Sequence, residues 1–205
     1  MAERASARRA EDPEAARTRV FAEHYPDGVM TPIAEDVVPP AVMERFEDRS
    51  AYLVHVDAYR PRNFVAYYAV THANGEQSYV AERNPKTYAG GRPGVEREAY
   101  VVDVGTDGRV MGWGEIRYNI TDPASYFKEK PLVGYTRTEP EFQRRGYGLR
   151  RLIVMNAMAH AFFGFPLHSD TVIRPEAERR WEDLVRTGRA RKYKEGKYDR
   201  YRFIN

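Results

Sequence analysis

The sequence predicts a mixed α/β fold: a central, mostly antiparallel sheet with flanking helices. Three observations carry this. Between about residue 64 and 119, runs rich in β-branched and aromatic residues flank the turn signals Asn74-Gly75 and Asp107-Gly108, as hairpins do. Residues 149–163 contain neither proline nor glycine and are apolar almost all round, which reads as a buried helix. Residues 165–205 supply a short strand, an amphipathic helix and a last hairpin. The strand–helix–strand unit around the buried helix requires a right-handed parallel crossover, so the sheet is mixed.

In chain order, residues 1–19 are charged and alanine-rich with no apolar stripe, and are expected to be a flexible lead-in, either a frayed helix or disordered. VPPAVMERFEDR is the first helix, with Pro40 suited to its first turn and Val42, Met43 and Phe46 on one side. AYLVHVDAY and NFVAYYAVTH read as strands joined through RPR. ERNPKTYAGGRPGVER, residues 82–97, reads as a loop. AYVVDVGTDGRVMGWGEIRYNI is a hairpin, and KPLVGYTRTE is a strand stopped by Pro140. Gly164 and Pro166 end the buried helix. FPLHSDTVI is a short strand. PEAERRWEDLVRTG is a helix with Pro175 in its first turn and Ala177, Trp181, Leu184 and Val185 as its stripe, ended by Gly188. ARKYKEGKYDRYRFIN turns at Glu195-Gly196.

Composition excludes several classes of function. The 205 residues hold no cysteine, which removes disulfides, thiolate metal sites and cysteine nucleophiles and fits a reducing cytoplasm. No run is long and apolar enough for a membrane span, so a cytoplasmic location without membrane contact is expected. The five histidines show no metal-ligand spacing, and no metal is expected. His168, Ser169 and Asp170 are adjacent on a strand and point to alternate faces, so they cannot converge as a triad. Net charge is only +3, but from residue 174 to 205 eleven Lys/Arg stand against six Asp/Glu. A solvated helix and hairpin explain that excess; nucleic-acid binding is the less favoured alternative.

The chemistry concentrates at TEPEFQRRGYGLRRL, residues 138–152. Gly146 and Gly148 fall where a strand ends and the buried helix starts. The first amides of a helix lack internal partners and carry the positive end of its dipole. Glycine allows positive φ and close approach of a ligand, so the stretch is suited to phosphate, with Gln143, Arg144 and Arg145 at its rim. It is not a P-loop, which ends in Gly-Lys-Ser/Thr, nor a dinucleotide fingerprint, which needs a third glycine.

Strand, Pro-Glu-Phe, then Gln143-Arg144-Arg145-Gly146-Tyr147-Gly148 and a buried helix resembles the acyl-CoA pyrophosphate loop of the GNAT superfamily of N-acetyltransferases, whose motif is Gln/Arg-x-x-Gly-x-Gly/Ala. VGYTRTEPEFQRRGYGLRRLIVMNAMAH is similar to that family's fourth strand, loop and third helix, and LHSDTVIRPEAERRWEDLVRTG to its fifth strand and fourth helix. The likeness covers about residues 98–205 of one domain spanning 20–205. It implies a pair of splayed parallel strands with acetyl-CoA between them. Tyr135, Thr136 and Thr138 would pair with the pantetheine. The backbone of Arg144, Arg145, Gly146, Tyr147, Gly148 and Leu149, with Gln143, would hold the pyrophosphate. A primary amine of a small molecule, a protein or an RNA-linked group would attack the thioester directly, in a monomer or homodimer.

The resemblance also marks a departure. The family's usual acid is a tyrosine four residues after a small residue on the fourth helix; Ala177 matches the small residue, but Trp181 stands in the tyrosine's place. Indole is no acid at neutral pH, so Trp181 is expected to wall the substrate pocket. The acid falls to a tyrosine of the last hairpin, Tyr193, Tyr198 or Tyr201, with Tyr198 taken as the candidate. Glu115 and Asp170 are the candidate bases. The rival expectation is a non-catalytic module that keeps the CoA fold and binds nucleic acid or a partner protein through its basic end.

Overall fold

In the computed structural model of the chain, which describes residues 11–51, 64–83, 86–87, 95–119, 130–170 and 173–204, two hairpin turns form at Gly75 and Gly108. Their φ angles of +81° and +78° lie in the left-handed region that makes glycine the suitable residue. The first turn joins β2 (Phe64–His72) to β3 (Gln77–Arg83), the second β5 (Val95–Val104) to β6 (Val110–Asn119). With β1 (Gly28–Ile33) and β7 (Leu132–Thr138) these strands form an antiparallel sheet in the order β1-β2-β3-β5-β6-β7, and a two-residue β4 (Lys86–Thr87) pairs with β5.

Helices cover both faces. α2 (Pro40–Ala51) lays Val42 and Phe46 against Tyr79, Tyr100, Val102 and Trp113. On the other face α3 (Tyr147–Phe163) contributes Leu152, Val154, Met155, Met158 and Phe162 to the larger core. Each such fully buried aliphatic or aromatic side chain contributes about 1.5–3 kcal/mol by leaving water. α1 (Pro13–His24) lies on α3, and α4 (Pro175–Arg186) packs with the hairpin of β8 (Ala190–Glu195) and β9 (Tyr198–Phe203).

The strand expected from FPLHSDTVI is, among the described residues, a single bridge on each side of His168: parallel to Leu132 and antiparallel to Arg202. The Ser169 amide donates to the Tyr201 carbonyl (2.9 Å), and the Phe203 amide to that of Leu167 (3.1 Å). This short stretch joins the main sheet to the final hairpin, and its one parallel contact makes the sheet mixed, as expected.

Several expectations are corrected. The lead-in is helical from Pro13: Asp12 caps Glu14 (3.3 Å), Phe21 and Tyr25 enter the core one turn apart, and Arg17 reaches Glu82 (3.0 Å) and the Tyr68 hydroxyl (2.9 Å). Polar anchors replace most of an apolar stripe there, which is why composition suggested a frayed helix or a disordered segment and not a docked helix. β1 was hidden by Pro32, tolerated because β1 is an edge strand. The expected loop 82–97 contributes the end of β3, all of β4 and the start of β5, where ladder pairing overrides weak local propensity. α3 begins at Tyr147 and α2 runs through Ala51; the rest of the AYLVHVDAY strand lies outside the described residues.

Candidate active site

The site is built where β7 parts from the stretch after Pro166. The Val133 amide donates to the His168 carbonyl (3.0 Å) and the His168 amide to that of Pro131 (2.8 Å). No further bridge joins the two stretches among the described residues. The gap opens into a cavity of 610 Å³ lined by β7 from Val133 to Thr138. Pro140, Gln143 and Leu152 close one side; Asp170, Ile173, Arg174 and the first turns of α4 close the other. Opposite β6, Glu115 pairs with Tyr135 and Ile116 with Val133, so Gly134 is an extra residue that bulges at the cavity wall.

The loop that follows Gln143 on the cavity wall supplies donors, although residues 144–149 do not themselves line the cavity. Gly146 (φ +85°) caps α3 with no side chain bonding to the helix start. Among the described residues, no group accepts a hydrogen bond from the five consecutive amides of Arg144 to Gly148. The Leu149 amide, expected to join them, instead donates to the Gly146 carbonyl (3.0 Å). Arg144 also stands in the left-handed region, at φ +62°, where a residue with a Cβ is strained by about 1 kcal/mol. Arg144→Gly is therefore expected to keep the parent's thermal midpoint, whereas β-branched Arg144→Val lowers it; equal midpoints in a melting experiment would contradict this.

Two side chains hold the loop in place. Glu76, in the β2–β3 turn, accepts from the Tyr147 hydroxyl (3.0 Å) and pairs with Arg150, both in the first turns of α3. Burial pushes its carboxyl up, but hydrogen bonds from Arg150, Asn74 and Tyr147 outweigh that and hold it below the usual value. Gln143 Nε2 donates to the Thr138 carbonyl (3.2 Å), closing the loop onto the strand end.

Beneath β7 lies a charge that sequence reasoning did not single out. Arg151, fully buried on α3, donates from Nε to Asp103 Oδ2 (2.8 Å). Its Nη1 donates to the Arg137 carbonyl (2.6 Å) and to the hydroxyls of Thr138 (3.2 Å) and Thr136 (3.3 Å). Asp103 Oδ1 accepts from the Ser78 hydroxyl (2.7 Å), which contacts His72 Nε2 (2.7 Å); His72 Nδ1 meets the Tyr25 hydroxyl (2.9 Å). A buried polar chain thus runs from the end of α1 to the cavity strand. Its signal in the sequence was the pair Gly112 and Gly114: a Cβ at Gly112 would stand 2.2 Å from Arg151 Nη2. Glycine inside a strand marks such a close approach.

The other expected site residues divide clearly. Tyr135, Thr136, Thr138, Gln143, Asp170 and Trp181 line the cavity. Trp181 is at the same time core, stacked on Tyr201 at 5.8 Å and edge-on to Phe203. Arg144 and Arg145 are exposed at the rim, with Arg145 over the Phe142 ring. Glu115 is buried on β6, paired with Arg117, and does not line the cavity; in register it faces Tyr135 on the adjacent strand. Tyr198 is 41% exposed and outside the cavity lining, so the fold does not bring it to the cleft. Tyr193 bonds His168 Nδ1 (2.9 Å), and the Tyr201 hydroxyl donates to Glu182, with burial first and that bond second pushing its pKa up to about 12. Part of the basic end is ion-paired, Lys192 with Glu182 and Lys194 with Asp199.

The chain is similar to a solved structure of a nourseothricin acetyltransferase, at 13% identity over 86% of this chain and 96% of that one, with a TM-score of 0.35. No family model and no curated protein matches. Among the described residues, no group of three or more His, Cys, Asp or Glu is placed to hold a metal ion, and no helix is long and apolar enough to cross a membrane.

Proposed function

We propose that this protein is an acyltransferase of the GNAT type that uses acetyl-CoA to acylate a primary amine. One observation carries the reading: the cavity between β7 and the His168–Asp170 stretch reaches Gln143 and Arg180, and the amides of Arg144 to Gly148, next along the chain from Gln143 at a helix N-terminus, have no partner among the described residues. An elongated ligand with an anionic middle and an extended arm suits both ends of such a cleft. The arm adds to β7 by backbone pairing, a mode that needs an unpaired strand edge. The pyrophosphate meets the amides of Arg144 to Gly148.

When bound, acetyl-CoA supplies a thioester carbon open to attack by the amine nitrogen, with the C–S electron pair leaving on sulfur. The backbone at the Gly134 bulge is suited to stabilise charge on the thioester oxygen. Glu115 is the base for the acceptor ammonium. It lies beside Tyr135 across the β6–β7 ladder, so a proton reaches it through one intervening group. Asp170 stands on the cavity wall as the second carboxylate. With Trp181 in the wall and Tyr198 outside, Tyr135 is the tyrosine that the lining offers as donor to the leaving thiolate.

Thiol release from acetyl-CoA by the full chain, across small amines, lysine peptides and aminoacyl-tRNA, tests the reading. Saturating acetyl-CoA also raises the thermal midpoint, since ligand at about 100 times its Kd adds about 2.7 kcal/mol. No stabilisation and no release would sink the proposal. Stabilisation without release would favour a binding module, the reading that Trp181 in place of an acid suggests. Glu115→Gln is expected to lower kcat about 10²-fold with the KM for acetyl-CoA unchanged; an unaltered rate removes Glu115 as base.

A further inference from the structure

One cavity residue has no role so far. Arg180 sits between Ala177, Trp181 and Leu184 at helical spacing, a cation on the stripe that α4 turns inward. Its side chain crosses the cleft to α3: a Cβ built on Gly148 would stand 2.6 Å from Arg180 Cζ and 2.9 Å from its Nη1. Gly148 is not in the left-handed region, so backbone conformation does not require glycine there. The space where its side chain would be is taken by the guanidinium.

Among the described residues, Arg180 makes no hydrogen bond and no ion pair. Burial and the nearby Arg151 hold its guanidinium below the usual value, and the neighbouring Glu176 offsets this only in part. A half-buried guanidinium facing a cavity presents a rigid fork of donors, the geometry that suits a phosphate oxygen pair.

We propose that Arg180 is an anion-binding residue of this cleft, clamping the pyrophosphate of the acyl donor against the amides of Arg144 to Gly148, and that Gly148 is glycine in order to seat it. The proposal rests on the acyl-CoA reading of the cavity. It differs from the sequence expectation, in which Gly148 served the approach of the ligand itself. It also makes α4 part of the phosphate site, so that the pyrophosphate is held by residues of two helices.

Calorimetric titration of the full chain with acetyl-CoA, and with S-acetylpantetheine, which lacks the pyrophosphate, tests it. Arg180→Met keeps the stem and removes the fork; it is expected to weaken acetyl-CoA about 10–100-fold and leave S-acetylpantetheine unchanged. Arg180→Lys should recover part of the loss. Gly148→Ala should weaken acetyl-CoA similarly by displacing the flexible guanidinium. Added to Arg180→Met it should weaken binding no further, because both changes remove one interaction. Binding of acetyl-CoA by Arg180→Met within twofold of the parent overturns the clamp. A further loss on adding Gly148→Ala overturns the seating role and returns the glycine to the ligand. If Arg180→Met does not fold, Gly148→Ala alone, with arginine still present, asks the same question, and unchanged affinity there overturns the proposal. A parent chain that binds neither probe overturns the acyl-CoA reading, and the clamp falls with it.

Discussion

Arg151→Met is expected to destabilise the protein by about 3–5 kcal/mol, the range for removing one partner of a buried ion pair. Asp103 is fully buried, and without Arg151 its charge keeps only the Ser78 hydroxyl. Three groups at the cavity strand lose their donor at the same step, the Arg137 carbonyl and the hydroxyls of Thr136 and Thr138. For a chain of this size, each kcal/mol lowers the thermal midpoint by about 2–4 °C, so a drop near 10 °C is the expected reading. Asp103→Asn in the Arg151→Met background should restore much of it by removing the stranded charge. A single variant that melts within 2 °C of the parent would show that the pair contributes little. Binding of acetyl-CoA should fall along with stability, because the guanidinium ties the end of β7 to the helix that starts at the proposed phosphate loop.

Acid unfolding carries the second large effect. Burial is the main cause holding His72, His160 and His168 near a pKa of about 4, with Arg150 adding to it at His72, His24 at His160, and Arg202 and Lys130 at His168. For His72 the hydrogen bonds give a reason in atoms. The Ser78 hydroxyl has one proton, which goes to Asp103, so His72 Nε2 must donate to Ser78 and Nδ1 must accept from Tyr25. A second ring proton would meet the Tyr25 hydroxyl, whose own proton would have to turn away. The unfolded chain binds a proton near pH 6.5, and the folded chain resists it down to about 4. The stabilisation is therefore complete above the unfolded value and is lost as pH falls through the window from 6.5 to 4. His72 and His168, each 4% exposed, should contribute about 3 kcal/mol apiece by pH 4. Together that is a large part of the 5–15 kcal/mol typical of a domain. Thermal midpoints should be flat above pH 7.5 and drop steeply below 6.5; a midpoint unchanged between pH 7 and 4.5 would refute the buried neutral state.

What could be read from the sequence follows from how local each signal is. α3, α4 and the two hairpins announced themselves through periodicity and turn residues within a dozen positions. The turn into α3 was legible because Gly146 and Gly148 stand together just before the apolar run. β1 and the docking of α1 were not, since Pro32 is acceptable only at an edge and Arg17 matters only once Glu82 is beside it. Glu76, Asp103 and Arg151 converge from three distant stretches, and no local pattern links them. Arg180 was half legible: its place on an apolar stripe was visible, its contact with Gly148 was not. Tyr198 was chosen for its chemistry alone, and the hairpin turns it to solvent.

The contact between α1 and α3 has a consequence for how the chain folds. His24 stacks on His160 with ring centres 3.7 Å apart, and Phe21 belongs to the same core as Phe162. The partner of α1 begins only at Tyr147, so α1 must wait while the strands between them are synthesised. Contacts of such long sequence separation slow folding, and an early α1 exposes Phe21 in the meantime. Refolding of the complete chain should therefore outlast formation of the β2–β3 hairpin, with α1 docking among the last events.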